Sequence, residues 1–261
     1  MNILDKIVQD KRREVDLKKS IVPVSQLETY TLFDRPTVSL ANMLRNSATG
    51  IIAEHKRRSP SKSVINQAHS VDQVAQGYEN AGVAGMSVLT DGKYFGGSLD
   101  DLVLARASVD LPLLRKEFII DEYQILEAKA YGADVILLIA AILGREEIKT
   151  YSELAQSLSL NVLLEVHDET EIHKSIMPSL DLLGVNNRNL KTFEVSLDTS
   201  KKLSALIPDE FVKVSESGIG SVDAIKELRP YGYKGFLIGE NFMKTGNPGE
   251  SASQFIKRLG V

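Results

Sequence analysis

The chain has 261 residues, 43% of them hydrophobic and 25% charged, with a formal net charge of −4 and a pI near 5.7. That balance is ordinary for a soluble globular protein and argues against a general nucleic-acid surface, and no apolar run approaches the roughly 20 residues that span a bilayer. The absence of cysteine excludes disulfides, thiolate metal sites and a cysteine nucleophile, and four scattered histidines without HExxH spacing suggest no metal.

Residues 3–19 place Ile3, Leu4, Ile7, Val8 and Val15 on a helical period. This amino terminus lacks the apolar stretch and small-residue cleavage site of an export signal, so nothing addresses the chain outside the cytoplasm. Lys11, Arg12 and Arg13 read as a solvated face of that helix. Pro23 and Pro36 then punctuate an extended connection. The first 45 residues or so are expected to be a helical extension packed on the main body, because they are too few to bury a core of their own.

Beyond it the pattern becomes regular. Short apolar runs lie at 50–56, 85–90, 111–118, 134–140, 161–167, 182–187, 211–217 and 235–240, which makes eight strand candidates. Segments of helical period separate them, as at 71–81, 121–131, 146–157 and 221–229, and a last one ends near Leu259. Strand then helix, eight times over, is the signature of a (β/α)₈ TIM barrel, here a single domain over 1–261 with its amino-terminal helical extension. The rival, a doubly wound open sheet, is disfavoured by the even repetition and by the lack of GxGxxG after the first strand.

Active sites of such barrels lie at the carboxyl ends of the strands. Polar residues gather there: Glu54 and Lys56, Thr90 and Asp91, Lys116 and Glu117, Glu165 and His167, Asn186, Asn187 and Arg188, Glu216 and Ser217, and Glu240. Glu54 and Lys56 stand two apart, so a strand projects them from the same face. Taken alone they are as readily a surface ion pair as a site. Lys56, Arg57 and Arg58 follow a strand, where an anion site is plausible. Gly218, Gly220 and Gly239 precede helical segments after the seventh and eighth strands, where exposed backbone N–H groups can hold a phosphate; either glycine region alone reads more readily as a tight turn, but the pair at strands seven and eight of a barrel favours phosphate.

With these residues assembled, the chain resembles the indole-3-glycerol phosphate synthase family along its whole length. The likeness is carried by ILDKIVQDKRREV, IIAEHKRRSPSK, SVLTDGKYFGGSL, LPLLRKEFIID, EAKAYGADVILLIAA, LLEVHDE, LGVNNRNL, VSESGI and FLIGENFM, in order and at barrel spacing. The resemblance implies a cofactor-free enzyme of tryptophan biosynthesis. It would close the indole ring of 1-(2-carboxyphenylamino)-1-deoxyribulose 5-phosphate with loss of carbon dioxide and water. It implies Lys116 as general acid, Glu165 as general base, and Lys56 with Glu54 as a pair engaging the substrate carboxylate and reacting hydroxyl. Both lysines stay candidates for the proton of dehydration. It further implies Asn186, Glu216 and Ser217 as substrate contacts, with Arg188 on the rim. Ser59, Gly218, Gly239 and Glu240 would be on the phosphate side. Phe95 and Phe118 are candidates for the apolar wall, with core packing as the alternative for each. Ser63 and Tyr94 depart from the glycine and phenylalanine the family favours; neither touches the proposed acid or base.

A monomer acting on a small phosphorylated substrate is expected, with neither nucleic acid nor membrane as partner. The chain ends after the eighth helical segment, so no fused second enzyme is expected. Three rivals stand beside this reading: a phosphoribosylanthranilate isomerase, whose family uses a cysteine this chain lacks, a Schiff-base aldolase and a non-catalytic phosphometabolite sensor. The Ser-Pro-Ser turn at 59–61 reads as the hinge of a loop that closes over substrate.

Overall fold

The structure, a computed structural model, describes residues 3–60, 62–190 and 192–260, so Ser61 of the expected hinge lies outside the described residues. In chain order, α1 (Ile3–Ile21), α2 (Val24–Leu27) and α3 (Leu40–Asn46) precede β1 (Ile51–His55), α4 (Val71–Ala81) and β2 (Gly85–Leu89). Then come α5 (Gly92–Phe95), α6 (Leu99–Ser108), β3 (Leu113–Lys116), α7 (Glu122–Ala130), β4 (Val135–Ile139) and α8 (Arg145–Ser157). They are followed by β5 (Asn161–Val166), α9 (Glu169–Ser175), β6 (Leu182–Asn186), α10 (Asp198–Leu203), β7 (Val212–Glu216) and α11 (Val222–Leu228). The last elements are β8 (Tyr233–Ile238), α12 (Glu240–Met243) and α13 (Pro248–Leu259).

The strands pair in sequence order and β8 returns to β1, closing a parallel (β/α)₈ barrel. Ala53 lies beside Met86 on one side and Ile238 on the other. Strands buried on both faces account for uninterrupted apolar runs such as VILLI in β4. Alternation along each strand sorts these residues into two cores. Ile51, Ala53, Ile136, Leu138, Val162 and Leu164 face the helices. Ile52, Leu114, Leu137, Leu163, Leu182, Val214 and Leu237 fill the barrel. Burying such a side chain fully contributes about 1.5–3 kcal/mol over leaving it exposed, so a register slip of one residue would exchange the two sets at prohibitive cost.

The connection between α1 and β1 is not extended throughout. Pro23 precedes α2, and Ser39 caps α3 by accepting from the Asn42 N–H. Leu40, Ala41 and Leu44 of α3 join the interior cluster and seal the amino-terminal end of the barrel. At the opposite end lies α1. Lys11 corrects the expectation of a solvated basic face, because it is only 2% exposed, whereas Arg12 and Arg13 are exposed. Its amine meets Glu14 at 2.8 Å, Asp91 at 3.0 Å and Glu117 at 3.1 Å. Three carboxylates satisfy the buried cation, which helical periodicity alone does not reveal. Among the described residues no helix is long and apolar enough to cross a membrane.

Candidate active site

The inward alternation that packs the barrel with Ile52, Leu114, Leu163 and Val214 turns polar one step further along each strand. Two residues on from each stand Glu54, Lys116, Glu165 and Glu216. Side chains on one strand face repeat every second residue, so these four converge at the carboxyl end of the barrel, and Lys56 continues the β1 series.

Their geometry is tight. The Lys56 amine donates to Glu54 Oε1 at 2.6 Å. Lys116 Nζ donates to Glu216 Oε2 and lies 3.5 Å from Glu165 Oε2. Asn186 pairs with Glu216 in the sheet register and its Nδ2 donates to Glu165 Oε1 at 3.2 Å. Glu216 Oε1 is buried and has no hydrogen-bond partner. Two glycines make room for this density of charge. A Cβ at Gly184 would overlap the Glu216 carboxyl, and one at Gly239 would overlap that of Glu54.

Burial and neighbouring charge set the protonation states. Burial opposes the charge of Lys116, but the carboxylates of Glu216, Glu165 and Glu54 outweigh it and hold the amine above the ordinary lysine range. Burial likewise opposes ionisation of Glu165, and Lys116, His167 and Asn186 reverse it, leaving this carboxyl below its usual value. Glu216 goes the other way: burial, with Lys116 opposing and Glu165 and Glu54 adding, pushes it up to about 7. Two carboxyls on β5 and β7, with β6 between them, are thus driven apart, a pattern typical of acid–base sites.

All these groups open into a cavity of about 470 Å³, lined by every residue that the family resemblance implied as catalytic, substrate-binding or phosphate-binding, but not by Arg57 and Arg58 of the expected anion site, which are taken by Asp101 and by the Gly92 and Lys93 carbonyls. Phe95 and Phe118 stand on one wall with ring centroids 6.0 Å apart. Ser217 and Gly218 adopt positive φ angles of 65° and 79° and turn the chain outward after β7. A non-glycine residue in that region costs roughly 1–2 kcal/mol, and the Asn187 amide secures the turn by donating to the Ser217 carbonyl at 3.0 Å. Gly239 precedes α12. The Glu240 carboxylate is taken by Lys62, so its backbone N–H rather than its side chain suits an anion. Arg188 sits on the loop after β6, where an isolated antiparallel bridge joins it to Val195.

Thr90, Asp91, His167 and Asn187, named with the rim, do not line the cavity. Thr90 donates to Glu117, Asp91 caps α5 and Asn187 reaches Ser215 and Ser200. The sequence reading missed the contribution of α1, from which Ile3, Leu4 and Ile7 enter the wall, and that of Phe193 and Val195. The apolar stripe of α1 was visible, but the surface it would face was not. Among the described residues no group of three or more His, Asp and Glu side chains is arranged to hold a metal.

A (β/α)₈ barrel whose mouth holds paired lysines and carboxylates around a half-apolar cavity defines an acid–base barrel enzyme. A profile of the family described as indole-3-glycerol phosphate synthase matches residues 4–259. A Bacteroides thetaiotaomicron protein of that name is 46% identical over 258 residues, 99% of each chain. One from Neisseria meningitidis serogroup B is 44% identical over 248 residues, 94% of this chain and 95% of its own. Among solved structures, a thiamine phosphate pyrophosphorylase from Pyrococcus furiosus superposes with a TM-score of 0.62 at 16% identity, covering 85% of this chain and 98% of its own, and so shares the fold. The chain belongs to the indole-3-glycerol phosphate synthase family, which places it among the carboxy-lyases of tryptophan biosynthesis.

Proposed function

We propose that the protein converts 1-(2-carboxyphenylamino)-1-deoxyribulose 5-phosphate to indole-3-glycerol phosphate, carbon dioxide and water. The observation that carries the assignment of roles is the placement of a charged Lys116 between Glu216 and Glu165 inside the cavity. The ring carbon bearing the carboxylate attacks the ketone carbon, and Lys116 delivers a proton to the developing alkoxide. Loss of carbon dioxide restores the aromatic ring. The new hydroxyl then leaves as water with a second proton from one of the two lysines, and Glu165 removes a proton from the adjacent methylene carbon. Two protons enter on oxygen and one leaves carbon. Glu165 returns the latter to Lys116, so each turnover draws one proton from solvent and regenerates both groups.

Lys56, steadied by Glu54, engages the substrate carboxylate. Asn186, Glu216 and Ser217 contact the amine and hydroxyls, with the unpartnered Glu216 Oε1 as one acceptor. Arg188 supports the carboxylate side. Phe95 and Phe118 cover the anthranilate ring, which needs an apolar wall. Ser59 and the backbone of Gly218, Gly239 and Glu240 receive the phosphate. An amine held cationic is a poor nucleophile, which weighs against a Schiff-base aldolase. Every group invoked comes from one chain, so a monomer suffices, and a biosynthetic role suits the cytoplasm.

Indole fluorescence on the purified protein tests this reading. Lys116→Ala and Glu165→Gln are each expected to lower turnover by about 10²- to 10⁴-fold, with the circular dichroism spectrum unchanged. Near-normal turnover in Lys116→Ala would remove the acid assignment.

A further inference from the structure

The mechanism leaves unused a part-buried titratable group that stands against its base. His167 immediately follows β5, two residues beyond Glu165, so the alternation that turns Glu165 inward turns His167 to the same side. Its side chain is 14% exposed and its Nε2 lies 3.4 Å from Glu165 Oε1. That nitrogen is buried and has no hydrogen-bond partner. Nδ1 lies 3.2 Å from Glu171 Oε2, which also accepts the backbone N–H of His167 at 2.7 Å. Glu171 is itself fixed: it stands in the first turn of α9, where Asp168 caps the helix by accepting from the Glu171 N–H at 2.9 Å.

Each ring nitrogen therefore faces a carboxylate oxygen. A neutral imidazole carries one N–H, so it would satisfy one carboxylate and turn a lone pair toward the other. Only the doubly protonated ring offers a donor to both. The surrounding charges agree. Burial opposes the cation, but Glu171 on α9, Glu165 on β5 and Glu216 on β7 outweigh it and hold His167 above the ordinary histidine value. Glu165 in turn is faced by Lys116 from β3, Asn186 from β6 and Glu216 from β7.

We infer that His167 is a positioning residue for Glu165, a cation bridged between Glu165 and Glu171 that keeps the base ionised and aimed at the substrate's methylene carbon. The proposal rests on the role given to Glu165 above. Its reason is timing. Lys116 exerts the larger pull on Glu165, but it gives up its charge in protonating the substrate oxygen and, where Lys56 supplies the proton of dehydration, is still a neutral amine when the base acts. His167 is consumed in neither step, so Glu165 retains a counter-charge through the dehydration. The long 3.4 Å separation shortens to a hydrogen bond when Lys116 swings to substrate, as catalytic contacts commonly do on binding.

Two measurements decide it. In the pH dependence of turnover, His167→Gln is expected to move the acidic limb upward by about one pH unit with KM nearly unchanged, and Glu171→Gln to move it in the same direction by less. A loss equal at every pH, with the acidic limb unmoved, would assign His167 a merely structural role and overturn the proposal. Independently of activity, nitrogen NMR of the wild-type imidazole should show His167 protonated through neutrality, with its titration falling in Glu165→Gln. An imidazole that stays neutral between about pH 5 and 8, or that ignores Glu165→Gln, would likewise overturn it. Wild-type protein that forms no indoleglycerol phosphate would sink the functional reading, while the NMR titration would still decide the bridging cation.

Discussion

Glu54, Glu165 and Glu216 are chemically identical and lie within one cavity, yet their environments differ. Glu216 is raised from 4.5 to about 7, so its contribution to stability is fully present below about pH 4.5 and is lost as pH rises through 7. Glu216→Gln removes that loss. Its melting temperature relative to wild type should therefore rise between pH 5 and pH 8, by a few degrees, in thermal unfolding followed by circular dichroism; a difference independent of pH would show that Glu216 ionises normally. The identities of these residues were legible in the sequence because strand ends in a barrel form its rim. The charge states of Glu165 and Glu216 were not, since they depend on side chains from two or three other strands. Gly184 illustrates the same limit. In sequence it is one more small residue in LLGVN, and only the fold shows that its missing side chain is space for Glu216. Gly184→Ala should displace that carboxyl and lower turnover on the order of 10²-fold, read in the fluorescence assay.

At the scale of elements, the barrel strands and the long helices were legible because period-two and period-3.6 patterns are local properties. The short helix α3 was not: its seven residues show too few turns to establish a period, and what holds them is the barrel interior they close. Lys11 failed for a related reason. Its neighbours in sequence are exposed cations, whereas its partners Asp91 and Glu117 lie about 80 and 106 residues away and belong to the segments after β2 and β3. Removing this cation leaves buried carboxylates uncompensated, a loss typically of about 3–5 kcal/mol. Lys11→Met should lower the urea midpoint accordingly; a change below about 1 kcal/mol would mean that water reaches the cluster.

For the whole molecule, the loop after β1 is tied to distant parts of the mouth. Arg57 pairs with Asp101 in two hydrogen bonds, Arg58 donates to the carbonyls of Gly92 and Lys93, and Lys62 holds Glu240. The expected closing motion would thus act through the second strand's loop as well as the first. Lys62→Ala should increase protease cleavage within 57–65 in the free protein, and a phosphorylated substrate analogue should restore protection. Equal cleavage with and without the analogue would count against closure.

Helix α1 supplies Ile3, Leu4 and Ile7 to the cavity wall and is fastened through Lys11 to the segment carrying Glu117, next to Lys116. Docking of this helix and occupancy of the cavity are therefore thermodynamically reciprocal: whatever free energy the docked helix adds to ligand affinity, the ligand must return as resistance of the helix to undocking. Hydrogen exchange should report that exchange of favours from the far side, as slower opening of α1 amides when a substrate analogue fills a cavity that most of those amides never touch.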